Sequence, residues 1–208
     1  MIIAFTGPQG VGKTTTAKAL QQLLITKYNK TSRLFSFADS LRSYAGFLFG
    51  ADFIAGSKDR EKKDEKIDVD LSVLPLAKNG SQAAPVVKAE DISASYRDVL
   101  LNIGPGLQKI FGKDIFCYAL GEAINDCEPV DYILIDDLRR SNELLWLKNL
   151  DEKVFIVELQ REDVADTKDY LSWPLTDTSE VIQKCDNPLN DIINLNTLDS
   201  IMKSYELV

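Results

Sequence analysis

The 208-residue sequence predicts an α/β fold in three layers, a mostly parallel five-stranded sheet with helices on both faces. Three observations predict it. Short apolar runs recur along the chain, most are followed by a segment with apolar residues at helical spacing, and a glycine-rich loop joins the first run to the first helix. In such sheets ligands bind beyond the carboxyl ends of the strands, so the residues just after each strand are where chemistry is expected.

Ile2 to Thr6 reads as a short buried strand, and GKTTTAKALQQLLITKY as a helix with apolar positions at Ala17, Leu20, Leu24 and Tyr28. RLFSFA at 33–38 is the second strand. DSLRSYAGFLFG then reads as a helix that Asp39 would cap and Gly50 would end. Residues 55–92 change character: GSKDREKKDEKIDVD is densely charged and PLAKNGSQAAPVVKAED is rich in Pro, Gly and small residues, which predicts a partly mobile excursion from the core. From Ser93 to Asn125 helical spacing returns as two helices, with an interruption expected near Gly104, Pro105 and Gly106. DYILIDDLR at 131–139 is a buried strand ending in charge, SNELLWLKNL a helix, and KVFIVEL at 153–159 another strand. The tail reads as a polar loop, QREDVADTKDYLSWPLTD, a short helix at TSEVIQK, a strand at DIINL and a helix at TLDSIMKSYEL.

Composition narrows the function. With 24 Lys and Arg against 32 Asp and Glu, the net charge of −8 argues against a nucleic-acid polymer as partner, since a polyanion is met by a basic face. Histidine is absent, which removes Ser-His-Asp chemistry, the usual Cys-His pairing and most zinc sites. Three cysteines, at 117, 127 and 185, form no CxxC pair and suit a reduced cytoplasmic chain. No apolar stretch approaches the ~20 residues of a membrane span, and the N-terminus lacks the features of a signal peptide.

Gly7-Pro8-Gln9-Gly10-Val11-Gly12-Lys13-Thr14 matches GxxxxGK[ST] in full, between a strand and a helix as its mechanism requires. Glycines let consecutive backbone N–H groups, through Thr15, face a phosphate chain. The helix N-terminus adds positive charge, Lys13 neutralises β and γ oxygens, and the Thr14 hydroxyl suits Mg²⁺. A second metal ligand should lie at the tip of another strand, where YILIDD supplies Asp136 and Asp137. Phosphoryl transfer is mostly positioning and charge neutralisation, and Arg42, Arg97, Arg139 and Arg161 all fall near strand carboxyl ends or on adjacent helices.

The ordered series GPQGVGKTT, FSFADSLRSYA, YRDVLLNIG, DIFCYAL, DDLRRSNEL, LQRED, DTSEV and DIINLNTLDSI resembles the bacteriophage deoxynucleoside monophosphate kinases, a branch of the P-loop nucleoside monophosphate kinases with the P-loop NTPase three-layer fold, over nearly the whole chain. The resemblance implies one domain, 1–208, with an acceptor-binding excursion at about 39–112 and a lid at about 161–180. It implies transfer of the ATP γ-phosphoryl group to a (deoxy)nucleoside 5′-monophosphate with Mg²⁺. Donor residues are then Gly7, Gln9, Gly10, Val11, Gly12, Lys13, Thr14 and Thr15, and metal ligands Thr14 and Asp136, with Asp137 an alternative. Asp39, Arg42, Arg97, Asp137, Arg139 and Glu143 fall to the acceptor, the last three through the family's D-x-R-x-x-x-E pattern. Lys13, Arg139 and Arg161 are the catalytic cations, and Asn194 matches the family's terminal asparagine. The chain departs from the family at Asp177, at Phe116 and at the Gly104-Pro105-Gly106 turn, which bears on acceptor specificity. A cytoplasmic location follows, in the host cell if the chain is of phage origin, and a homodimer is left open. A dephospho-coenzyme A kinase-like enzyme and a non-enzymatic nucleotide switch are the alternative readings.

Overall fold

The computed structural model describes residues 1–59, 61–69, 92–160, 183–186 and 195–208. By internal contacts the chain divides into two compact units: Met1–Asp39 with Lys113–Val208, and Ser40–Gly112.

The first unit holds a five-stranded sheet. In chain order its strands are β1 (Ile2–Thr6), β2 (Ser32–Phe35), β5 (Tyr132–Ile135), β6 (Val154–Gln160) and β7 (Gln183–Asp186), and they lie side by side as β2-β5-β1-β6-β7. Every pairing is parallel, with Ile3 opposite Leu134 on one side of β1 and opposite Phe155 on the other. All five residues of β1 are buried, as expected for the central strand of a covered sheet.

Side-chain alternation divides the sheet between two cores. Ile3, Phe5, Leu134, Phe155 and Val157 pack with Ala17, Leu20 and Leu24 of α1 (Lys13–Tyr28) and Leu198, Ile201 and Met202 of α7 (Leu195–Ser204). On the opposite face Ile2, Ala4, Ile135 and Ile156 meet Cys117 and Leu120 of α5 (Ile115–Asn125) and Leu144 and Leu147 of α6 (Ser141–Lys148). A period of two along each strand thus feeds two helical layers. The Asp199 carboxylate ties α7 to α1, accepting from Lys27 Nζ and Tyr28 OH, each at 2.5 Å.

The second unit contains most of α2 (Ala38–Phe49), α3 (Ala51–Lys58), an antiparallel pair β3 (Lys66–Val69) and β4 (Ile92–Ser95), and α4 (Tyr96–Phe111). Its small core joins Ala45, Phe53 and Val99 to Phe49, Tyr96 and Ile103. The rings of Phe53 and Tyr96 stand 5.1 Å apart. Gly56 permits this approach, because a Cβ there would lie 2.3 Å from Tyr96 Cζ.

Four expectations change. Helix α4 runs through Pro105 to Phe111, and the break falls at Gly112, whose φ is +96°. Its first turn is fixed by Ser95 and Asp98, the Ser95 Oγ accepting Asp98 N–H and the Asp98 carboxylate accepting Ser95 N–H, while Gly112 N–H still reaches Gln108 O. Only the bond to Leu101 O is lost to the proline, on a turn where Leu101 is exposed. Second, α2 begins at Ala38, so Asp39 sits inside its first turn and does not cap it. Third, Gln183 and Lys184, read as part of a short helix, belong to β7, where the open edge of β6 supplies a backbone ladder that so short a helix lacks. Fourth, in the DIINL segment read as a strand, Leu195 opens α7, and 191–194 lie outside the described residues. Among the described residues no helix is long and apolar enough to cross a membrane.

Candidate active site

The glycine loop leaves the carboxyl end of β1 and enters α1, with β5 and β6 on either side of that strand. Gly7, Gly10 and Gly12 have φ of +132°, +84° and +99°, values that L side chains rarely adopt. Gly7 is also sterically fixed: a Cβ would stand 2.3 Å from Leu159 O of β6. Val11 is fully buried and anchors the loop. Helix α1 has no side-chain cap and no acidic residue in its first turn, so its own first turn sets no negative charge against the positive end of the helix.

Lys13 is only 8% exposed and folds back over the loop, its Nζ donating to Gly7 O at 2.7 Å and Pro8 O at 2.8 Å. Burial pulls its pKa down to about 8. Nearby Arg139 adds to that, while Asp137 and Asp136 oppose it. The strand-tip carboxylates and Arg139 therefore act electrostatically on Lys13, although the residues are more than 120 positions apart in the chain. Thr14 and Thr15 are exposed at the start of α1, and the Thr16 hydroxyl donates back to Gly12 O at 3.0 Å.

The two aspartates at the end of β5 have different surroundings. Asp137 Oδ1 accepts Phe37 N–H at 2.7 Å, and its Oδ2 accepts Ser36 Oγ at 2.5 Å and Ala38 N–H at 3.1 Å. It is therefore the cap of α2, the role the sequence assigned to Asp39. Asp136 is 9% exposed, and its N–H donates to Phe35 O at 3.2 Å. Glu143 is buried, with Oε2 accepting Arg139 N–H at 2.9 Å and Arg140 N–H at 3.0 Å. Desolvation, reinforced by the Asp137 charge, pushes the Glu143 carboxyl up to about 7. Asp137 and Glu143, both assigned to the acceptor from the motif, thus bind backbone in this structure and shape the turn that carries Arg139.

The remaining candidates divide by position. Arg139 is exposed on that turn. Arg42, on α2, and Arg97, at the start of α4, belong to the second unit, where Arg97 Nε pairs with Asp64 at 2.7 Å. Arg161, the lid at 161–180, Asp177 and Asn194 lie outside the described residues.

Three further polar groups belong to no motif in the sequence. Glu158, 2% exposed on β6, is in register with Thr6, whose buried hydroxyl has no hydrogen-bond partner among the described residues. A lone glutamate inside KVFIVEL was the available signal. Ser36 and Asn142 carry no motif, and only their contacts reveal them. No family model matches the chain, and no curated protein does.

Proposed function

We propose that the chain is an ATP- and Mg²⁺-dependent nucleoside monophosphate kinase that moves the γ-phosphoryl group to the 5′-phosphate of a (deoxy)nucleotide. The observation that carries this reading is the Gly7–Thr14 loop, with three positive-φ glycines, a lysine inside it and a helix N-terminus with no acidic residue in its first turn. Loop amides and Lys13 bind the donor phosphates. Thr14 and Asp136 offer the hard oxygen ligands that suit Mg²⁺, which takes few protein ligands beside substrate phosphate and water. Both Asp137 oxygens also accept hydrogen bonds, from Ser36 Oγ and from the backbone of residues 37 and 38. Held there, Mg²⁺ would supply charge neutralisation for the donor phosphates.

Arg42, Arg97 and Arg139 supply cations for the acceptor, and Arg161 one for the transferring group. The attacking phosphate oxygen is anionic, so the reaction needs no general base, in keeping with a chain that has no histidine. A coupled assay with ATP and each of dAMP, dCMP, dGMP, dTMP and the ribonucleotides tests the assignment. ADP formation that depends on one of these acceptors and disappears in Lys13→Ala supports it. Acceptor-independent hydrolysis alone would turn the reading to a nucleotide switch.

A further inference from the structure

The chain passes between its two units twice, after Asp39 and after Gly112. On the first unit's side, both crossings are bound by one short stretch, residues 137–146. At the first crossing, Asp137 accepts hydrogen bonds from Ser36 Oγ, Phe37 N–H and Ala38 N–H. At the second, Asn142 Nδ2 donates to Lys113 O at 3.1 Å and to Asp114 Oδ1 at 3.0 Å.

Apolar contacts repeat the pattern. Phe37, of the first crossing, is 3% exposed and meets the Trp146 ring edge-on at 6.0 Å. Helix α5 follows the second crossing, and a Cβ on its Gly121 would stand 3.3 Å from Trp146 Cζ2. Between Asp137 and Asn142, Glu143 holds the amides of Arg139 and Arg140. Capping α2 requires Asp137 alone. It does not explain why the same segment reaches residues 113 and 114.

We propose that residues 137–146 bind the two crossings into one body, with Asp137, Asn142 and Trp146 as positioning residues for the ligand of the second unit. On the kinase reading above, on which this last step rests, that ligand is the acceptor nucleotide.

The test uses the full chain with one substitution at each crossing, Ser36→Ala and Asn142→Ala, neither of which removes a buried apolar side chain. In Asn142→Ala, which loses both Nδ2 bonds, hydrogen exchange at Phe37 and Ala38 should quicken about fivefold, the equivalent of one ordinary hydrogen bond reaching the other crossing, although Asn142 touches neither. In Ser36→Ala, tryptic cleavage after Lys113 should quicken by a similar factor. In both, acceptor KM should rise while kcat and the KM for ATP hold. If each variant loosens only its own crossing, the common anchor is refuted. If both crossings respond but acceptor KM does not, the positioning role is refuted. If wild type phosphorylates no nucleotide, the kinase reading fails, and the exchange and cleavage data still decide the anchor.

Discussion

Lys13 gives the sharpest prediction, because burial, two carbonyl acceptors and three charged neighbours act on it together. Burial under the loop, with Arg139 nearby, brings its pKa from 10.5 to about 8 despite two neighbouring carboxylates. The perturbation is pH. The folded state holds the Lys13 proton less tightly than the unfolded chain, so between about 8 and 10.5 the unfolded state binds more protons and stability rises with pH. The full effect is about 3 kcal/mol, from roughly 1.4 kcal/mol per pKa unit. Below 8 the charged amine is present and its burial opposes folding.

A bound polyphosphate reverses the preference, because it favours the ammonium. If the ligand restores an ordinary lysine pKa, ATP affinity should fall about tenfold between about pH 7 and pH 9, and binding at about pH 9 should take up nearly one proton. Lysine side-chain NMR, with the signal assigned by Lys13→Arg, reads the free midpoint, and calorimetry in buffers of different ionisation enthalpy reads proton uptake. Arginine stays charged throughout, so Lys13→Arg should take up none. A free Lys13 midpoint at or above about 10 refutes the burial argument whatever the protein's activity.

Three further outcomes follow from named contacts. Gly7→Ala places a Cβ 2.3 Å from Leu159 O at a φ of +132°, and urea unfolding should show a loss of at least about 2 kcal/mol. Wild-type stability in that variant would mean that the loop is not held against β6. Glu143 binds its proton up to about 7, against 4.5 ordinarily, so the folded state binds more protons in that window and stability falls as pH rises through it, by about 3 kcal/mol. Glu143→Gln should flatten this slope in urea titrations at several pH values, and an unchanged slope would assign it to another group. Burial pushes the Cys117 thiol up to about 12, so iodoacetamide should modify partly exposed Cys127 in the native protein and Cys117 only on unfolding, as mapped by mass spectrometry. Equal native rates would contradict the burial of Cys117.

What was legible in the sequence was local. β1 and α1 follow from an apolar run, a glycine loop and helical spacing, and their ends fall within one residue of the reading. β5 and β6 are apolar runs that the core accepts on both faces. Misreadings arose where a partner distant in sequence overrode a local signal. Pro105 looks like a break, yet the Ser95 and Asp98 cap and the glycine at 112 set the ends of α4. QKCD is too polar to announce a strand, and becomes one by pairing with β6. Asp39 has the right residue type to cap α2, but a carboxylate from position 137 takes the job. The motif D-x-R-x-x-x-E was visible, whereas the backbone partners of Asp137 and Glu143, and the reach of Asn142 to Lys113, depend on contacts that spacing does not encode.

On the proposed function, a chain of net charge −8 has to hold polyphosphate, and the placement of Lys13 offers a way to meet that difficulty. The ammonium is already inside the loop, bonded to Gly7 O and Pro8 O, so its charge does not have to be carried in from solvent when a ligand arrives. A phosphate replaces two neutral carbonyl acceptors by anionic oxygens. The ammonium already donates as a charged group, at about 1.5–3 kcal/mol per bond, and an anionic acceptor adds direct charge attraction to that. Asp136 and Asp137 lean the other way in the absence of ligand, keeping Lys13 protonated more than burial alone allows. With Asp137 bonded to the start of α2, a cation bound by Asp136 would remove part of that support just as the phosphate supplies a stronger one. Metal and nucleotide should therefore bind cooperatively at Lys13, and the cooperativity should weaken in Lys13→Arg, whose charge needs no support from the aspartates.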